Sequence, residues 1–153
     1  MPTPKRPFQF SLAPLKRLLS PSVRSSPARI PIRQHHGRTA ERLAHAYLRR
    51  IGYRILATNI RLPGGELDLI AQEGQTLCLV EVRSVHSHQF GSAEESITPA
   101  KRRHLIQAAQ HYMARNTNTP DVVRFDVVTV EWPPHGSPAI QLIREAFTVD
   151  LPE

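Results

Sequence analysis

The chain has 153 residues, 20 Lys+Arg against 13 Asp+Glu, a formal net charge of +7, and 40% hydrophobic residues, which is material for one domain with one core. No run approaches the roughly 20 apolar residues that span a bilayer, which excludes an integral helical membrane protein. A single cysteine, Cys78, excludes an internal disulfide framework and fits a reducing, cytoplasmic setting.

The charge is unevenly placed. Residues 1–34 hold seven basic residues, no acid, and seven of the 14 prolines. All 13 acids lie at or after Glu41, matched by the 13 remaining basic residues, so residues 35–153 are formally neutral. Frequent Pro and like-signed charge oppose both a helix and a core, and residues 1–34 read as a disordered tail. Such a tail suits electrostatic attachment to nucleic acid, an organelle transit peptide, or an extension without function. It carries no secretory signal, because Pro14, Lys16 and Arg17 break the apolar run from Leu12 to Leu19.

From about His36 the pattern becomes that of a folded domain, here taken as residues 35–153. Thr39 is a candidate N-cap, and Ala40, Leu43, Ala44, Tyr47, Leu48 and Ile51 follow at helical spacing, closed by Gly52. A strand is expected over residues 54–60, then a turn at Pro63-Gly64-Gly65. Strands over 66–71 and 76–85 form a hairpin through Glu73-Gly74-Gln75. Thr98 caps a second helix that opens on Pro99 and reaches about Ala114, burying Leu105, Ile106, Ala108, Ala109, Tyr112 and Met113. Val122 to Trp132 is a further strand, and residues 140–143 a short last one. The order gives an α/β domain with a mixed sheet flanked by helices.

Acidic residues stand where core strands should be apolar. Side chains alternate along a strand, so Glu66 and Asp68 share a face, as do Glu81 and Arg83. The opposite faces are apolar: Leu67, Leu69 and Ala71 on one strand, and Cys78, Val80 and Val82 on the next. In an antiparallel hairpin Asp68 and Glu81 can meet. Their repulsion is relieved by a hard cation between them, and such a cation can brace a phosphoryl oxygen. The simpler alternative is a solvent-facing side with Arg83 bridging one acid. Glu41, at the edge of the first helix's apolar stripe, can reach this corner, although an acid in a first helical turn is also favoured by the helix dipole. Lys101, Arg102 and Arg103 oppose the dipole of the second helix by about 0.3–1 kcal/mol each, which makes sense if a phosphate docks there and otherwise describes a solvated charge run.

These residues resemble the YraN family of bacterial predicted nucleases. The resemblance runs from about Gly37 to Val130 and rests on Gly37 through Glu41, Gly52-Tyr53, Asn59, Gly65 through Ala71, Val80-Glu81-Val82-Arg83, Gly91, Lys101 and Arg124 through Val128. It implies a restriction-endonuclease-like fold, similar to archaeal Holliday-junction resolvases, and a fold in which homodimers are common. It implies a Mg²⁺- or Mn²⁺-dependent endonuclease acting on DNA, structured or branched. By that resemblance Glu41, Asp68 and Glu81 hold the metal, and position 83 is a lysine.

Here it is Arg83, and the family's usual basic residue two positions on is Val85. A lysine can orient and help deprotonate a water; an arginine stays protonated and offers a flat fork instead. Arg83 can still balance charge on a scissile phosphate, or it can pair with the acids in the metal's place. The expected catalytic set is therefore Asp68, Glu81, Arg83 and Glu41, with phosphate attraction from Lys101, Arg102 and Arg103. Lys101, one turn before Leu105, is a candidate to replace the missing lysine. The alternative is a nucleic-acid-binding module on a nuclease fold, impaired in catalysis by Arg83. A further rival is an interaction protein with no nucleic-acid role. His86 and His88, with His35-His36 or His104, are weaker candidates for zinc. Cys78 and Asp126 read as structural, the latter pairing with Arg124.

Overall fold

Alternation of apolar residues at helical and strand periods accounts for seven elements in the computed structural model, which describes residues 32–86, 97–120 and 122–148, with side chains from His36 onward. The basic tail up to residue 31, the His35 side chain, His88 and Gly91 lie outside the described residues. Helix α1 (Ile32–Arg50) is followed by strands β1 (Arg54–Leu62), β2 (Gly65–Glu73) and β3 (Thr76–Val85). Helix α2 (Pro99–Arg115) then precedes β4 (Val122–Glu131) and β5 (Ala139–Phe147). The strands lie in sequence order in one sheet, with β3 and β4 parallel and every other neighbour antiparallel. The mixed α/β sheet expected from the element order is the one observed. Among the described residues, no helix is long and apolar enough to cross a membrane.

Helix α1 starts at Ile32, seven residues before the expected cap, so Thr39 lies inside it. Arg33, Gln34 and Arg38 are good helix formers, and the extension carries Gly37 at a cost of about 1 kcal/mol relative to Ala. Its end is as expected: Gly52 has φ 101°, and Tyr53 N–H donates to Leu48 O at 2.9 Å. Ala40, Ala44 and Leu48 bury fully, whereas Ile51 is exposed. In α2, Thr98 Oγ1 accepts from Lys101 N–H at 3.2 Å, and Leu105, Ala108 and Ala109 are buried.

The sheet has a core on each side. Ala40, Ala44, Leu48 and Tyr53 pack with Leu69, Ala71, Cys78, Val80, Val128 and Val130 on the α1 face. Leu105, Ala108 and Ala109 pack with Leu67, Ile70, Leu77, Leu79, Phe125, Val127 and Phe147 on the α2 face. The hairpin is therefore covered on both sides and the solvent-facing alternative does not hold. Leu67 departs from the expected alternation, since it joins the α2 face and Leu69 the α1 face. Strand β1 is irregular beside them: its register against β2 shifts between Ile55 and Ala57, and Asn59 adopts φ 51° between the pairs Thr58–Leu69 and Ile60–Leu67. Asparagine tolerates this left-handed conformation better than most residues.

Gly64 brings the β1–β2 turn against α2. It has φ 100°, and a Cβ there would stand 2.6 Å from Gln107 Cβ. Gly64→Ala therefore meets both backbone strain and a clash.

At the far end of the sheet Asp126 is fully buried and accepts from Arg124 Nε (2.7 Å), Glu145 N–H (3.0 Å) and the Tyr53 hydroxyl (3.4 Å). Arg124 and Arg144 both hold Glu73, which drives its carboxyl down to about 2. Asp126 is thus structural, as its pairing with Arg124 implies, and its contact with Glu145 accommodates the bulge where β5 opposes it. Removing Arg124 leaves a buried charge without its main partner. Arg124→Ala should lower stability by about 3–5 kcal/mol in denaturant unfolding. Arg144→Ala, which removes a half-exposed partner of the same Glu73, should cost no more than about 1 kcal/mol.

Candidate active site

The ladder between β2 and β3 runs from Glu73–Thr76 to Leu69–Val80 and stops there. One residue on, Asp68 Oδ2 accepts the Val82 backbone N–H at 2.8 Å, doing with a side chain what a strand carbonyl would otherwise do. That turns Asp68 toward Glu81, which by strand alternation faces α2. The two carboxyls are close enough to hydrogen-bond if one carries a proton. The expected meeting of Asp68 and Glu81 is observed.

Glu81 is only 5% exposed. Its Oε1 faces Lys101 Nζ at 3.1 Å and Arg83 Nη1 at 3.7 Å. With both carboxyls ionised, Oε2 is buried without a hydrogen-bond donor among the described residues. Burial first, and Asp68 second, push the Glu81 carboxyl up to about 7, against the pull of Lys101 and Arg83. Burial also raises Asp68, opposed by its bond from Val82 and by Lys101.

Lys101 reaches the acids because Thr98 and Pro99 start α2 beside the end of β3, which places the residue in the first turn above Glu81. Its two neighbours do not follow. Arg102 donates to Ile97 O at 3.3 Å and lies over the Phe147 ring, and Arg103 is exposed.

Glu41 lies on α1, near enough to Asp68 for the two carboxyls to interact. Its carboxyl is raised by burial and by Asp68 and Glu66, and it is hydrogen-bonded by the Asn59 side chain. It lines a cleft of about 330 Å³ with Arg38, Arg42, His45, Thr58, Asn59 and Leu69. Among the described residues, no three His, Cys, Asp or Glu side chains are gathered to hold a metal ion. Asn59 is one of the residues on which the resemblance rests, but its role as the positioning residue for Glu41 was not visible in the sequence. His104 lies beside Gly65, while His36 and His86 meet each other, Nδ1 to Nε2 at 3.2 Å.

Two adjoining carboxylates, one with an oxygen lacking a donor, suit a hard cation. Mg²⁺ is commonly bound through one or two carboxylates, with waters and phosphate oxygens completing the shell. The chemistry of Asp68 and Glu81 therefore fits such an ion.

The profile of the uncharacterised protein family UPF0102, the YraN family, matches residues 40–130. The chain belongs to this family. It is 43% identical over 111 residues to the UPF0102 protein of Symbiobacterium thermophilum, covering 72% of this chain and 94% of that one. It is 43% identical over 122 residues to that of Cupriavidus taiwanensis, covering 78% and 88%. The UPF0102 protein of an Anaeromyxobacter species is 42% identical over 115 residues, covering 75% and 86%. The UPF0102 match spans Glu41, Asp68, Glu81, Arg83 and Lys101.

The raised Glu81 carboxyl has a consequence for stability. The folded state holds more protons than the unfolded one between the ordinary value of 4.5 and about 7. Stability is therefore lost as pH rises through that window. In chelator, Glu81→Gln should raise stability at pH 8 by on the order of 1–3 kcal/mol, with the gain shrinking toward pH 4.5. Thermal unfolding of both proteins across that range checks it.

Proposed function

We propose that this UPF0102 protein is a divalent-metal-dependent endonuclease that hydrolyses phosphodiester bonds in DNA, structured or branched, on a restriction-endonuclease-like fold. The observation that carries the reading is the buried Glu81 beside the partly buried Asp68, with Lys101 Nζ 3.1 Å from Glu81. A fold gains nothing from a buried carboxylate set beside a second acid and an oxygen without a donor, whereas a metal-assisted hydrolase uses both. The resemblance of residues 37–130 to the predicted nucleases supports the same reading.

Asp68 and Glu81 would hold Mg²⁺ or Mn²⁺, and Glu41, steadied by Asn59, would act on its outer sphere. When bound, that ion supplies Lewis acidity toward a phosphoryl oxygen and an acidified water. Lys101 supplies the cation that position 83 lacks as a lysine, entering from α2 rather than along β3. It holds Glu81 in place and presents an N–H donor to a water or phosphate oxygen at the site. Arg83, partly exposed beside Glu81, balances charge that develops on the scissile phosphate. Arg103 is placed to draw the DNA backbone toward the start of α2, with Arg102 largely committed to Ile97 and Phe147.

A second reading has a specific observation in its favour. Lys101 and Arg83 both address Glu81 Oε1, so cations already neutralise part of the site. In that reading the domain binds nucleic acid without cutting it.

Incubation of branched, flap, single-stranded and duplex DNAs with Mg²⁺ or Mn²⁺ separates the two. The nuclease reading predicts cleavage by the wild type, abolished in Asp68→Ala and reduced by about 10²–10³ in Lys101→Ala, the scale of losing one such group. Cleavage by Arg83→Lys but not by the wild type would transfer the case to the binding module. No cleavage by either would overturn the nuclease reading.

A further inference from the structure

We propose a second metal site, for a transition-metal dication of the zinc class, between His36 of α1 and His86 just beyond β3. The two nitrogens, His36 Nδ1 and His86 Nε2, face each other at 3.2 Å. Two imidazole nitrogens, each 2.0–2.1 Å from a tetrahedral zinc, stand about 3.3–3.4 Å apart, so both can reach one ion with a shift of a few tenths of an ångström. Without metal, one ring must donate its N–H to the other. With metal, both lone pairs point to the ion and each ring carries its proton on its other nitrogen.

The rings are held in place. His36 stacks on Trp132 with centroids 4.8 Å apart and planes at 16°, and its centroid lies 4.7 Å from that of His86, with the planes tilted by 32°. Trp132 is anchored in turn, because its Nε1–H donates to Ser84 Oγ at 2.8 Å. His86 is exposed, so an ion has an open path, and water or an outside ligand can complete its shell. Imidazole nitrogens favour zinc, copper or nickel over Mg²⁺, which separates this site chemically from the carboxylates.

The position suggests its use. His36 is five residues before Glu41, about 7.5 Å along the helix, and His86 five residues after Glu81, about 16 Å along the strand. An ion shared by the two histidines ties the segment that carries Glu41 to the strand that carries Glu81. Of the residues that form the site, His86 and Ser84 lie within residues 40–130, the stretch matched to UPF0102, and His36 and Trp132 lie outside it.

The test is calorimetric and thermal titration of the full chain with Zn²⁺, carried out in Asp68→Ala as well as in the wild type so that the carboxylates do not contribute. Its result is independent of nuclease activity. The site predicts one equivalent of Zn²⁺ and a rise in Tm with Zn²⁺ concentration in both proteins, retained in His111→Ala. Both effects should be lost in His36→Ala and in His86→Ala; since His86 is exposed, His86→Ala tests ligation with little risk to folding. Absence of Zn²⁺ binding at millimolar concentration, or binding that survives either histidine substitution in the Asp68→Ala background, would overturn the proposal.

Discussion

The rest of this structure is arranged around the burial of Glu81 beside Asp68. Two carboxyls removed from water at short range cannot both ionise freely, and each is raised by that burial. The surrounding chain offsets the penalty only in part. Val82 bonds Asp68, Lys101 and Arg83 meet one oxygen of Glu81, and the other oxygen has no donor among the described residues. The β2–β3 ladder ends where the pair begins, so the local backbone is shaped to bring these side chains together.

The opposite end of the sheet provides a comparison within the same molecule. There Tyr53, Glu73, Arg124, Asp126 and Arg144 form a closed set in which the buried acid has several donors. Glu73 is lowered and the Tyr53 hydroxyl is raised, the pattern of charges and hydrogen bonds that support a fold. At the Glu81 end the acids are raised and incompletely paired. Structure alone does not require that imbalance, and a ligand with positive charge removes it.

Much of this was legible in the sequence, because strong periodicity and end signals leave few alternatives. Thr98-Pro99 marked the start of α2, Gly52 the end of α1, and the bounds of β3 follow from its flanking turn and apolar run. Asp68 and Glu81 stood out as acids in segments otherwise built for a core. Less visible was anything that depended on a local break in regular geometry. Leu67 joins the α2 face instead of the side shared with Leu69, and the left-handed Asn59 holds Glu41; alternation along a strand cannot foresee either. The early start of α1 at Ile32 was hidden because residues 32–38 lack an apolar stripe. The length of β5 was hidden because the bulge at Glu145 breaks its pattern.

Position 83 shows how spacing and space can differ. Along β3 the expected lysine is an arginine, yet a lysine arrives at Glu81 from the first turn of α2. Eighteen residues separate Arg83 from Lys101 in sequence, and only the α2 crossover joins them. The claim on which the account depends is that Asp68 and Glu81 are electrostatically coupled in a buried site. Its most direct test is an NMR titration of the Glu81 side-chain carboxyl in chelator, in the wild type and in Asp68→Asn. The account predicts a midpoint near neutrality, at about 7, that falls when the Asp68 charge is removed. An ordinary carboxylate midpoint near 4.5 in both proteins would contradict it.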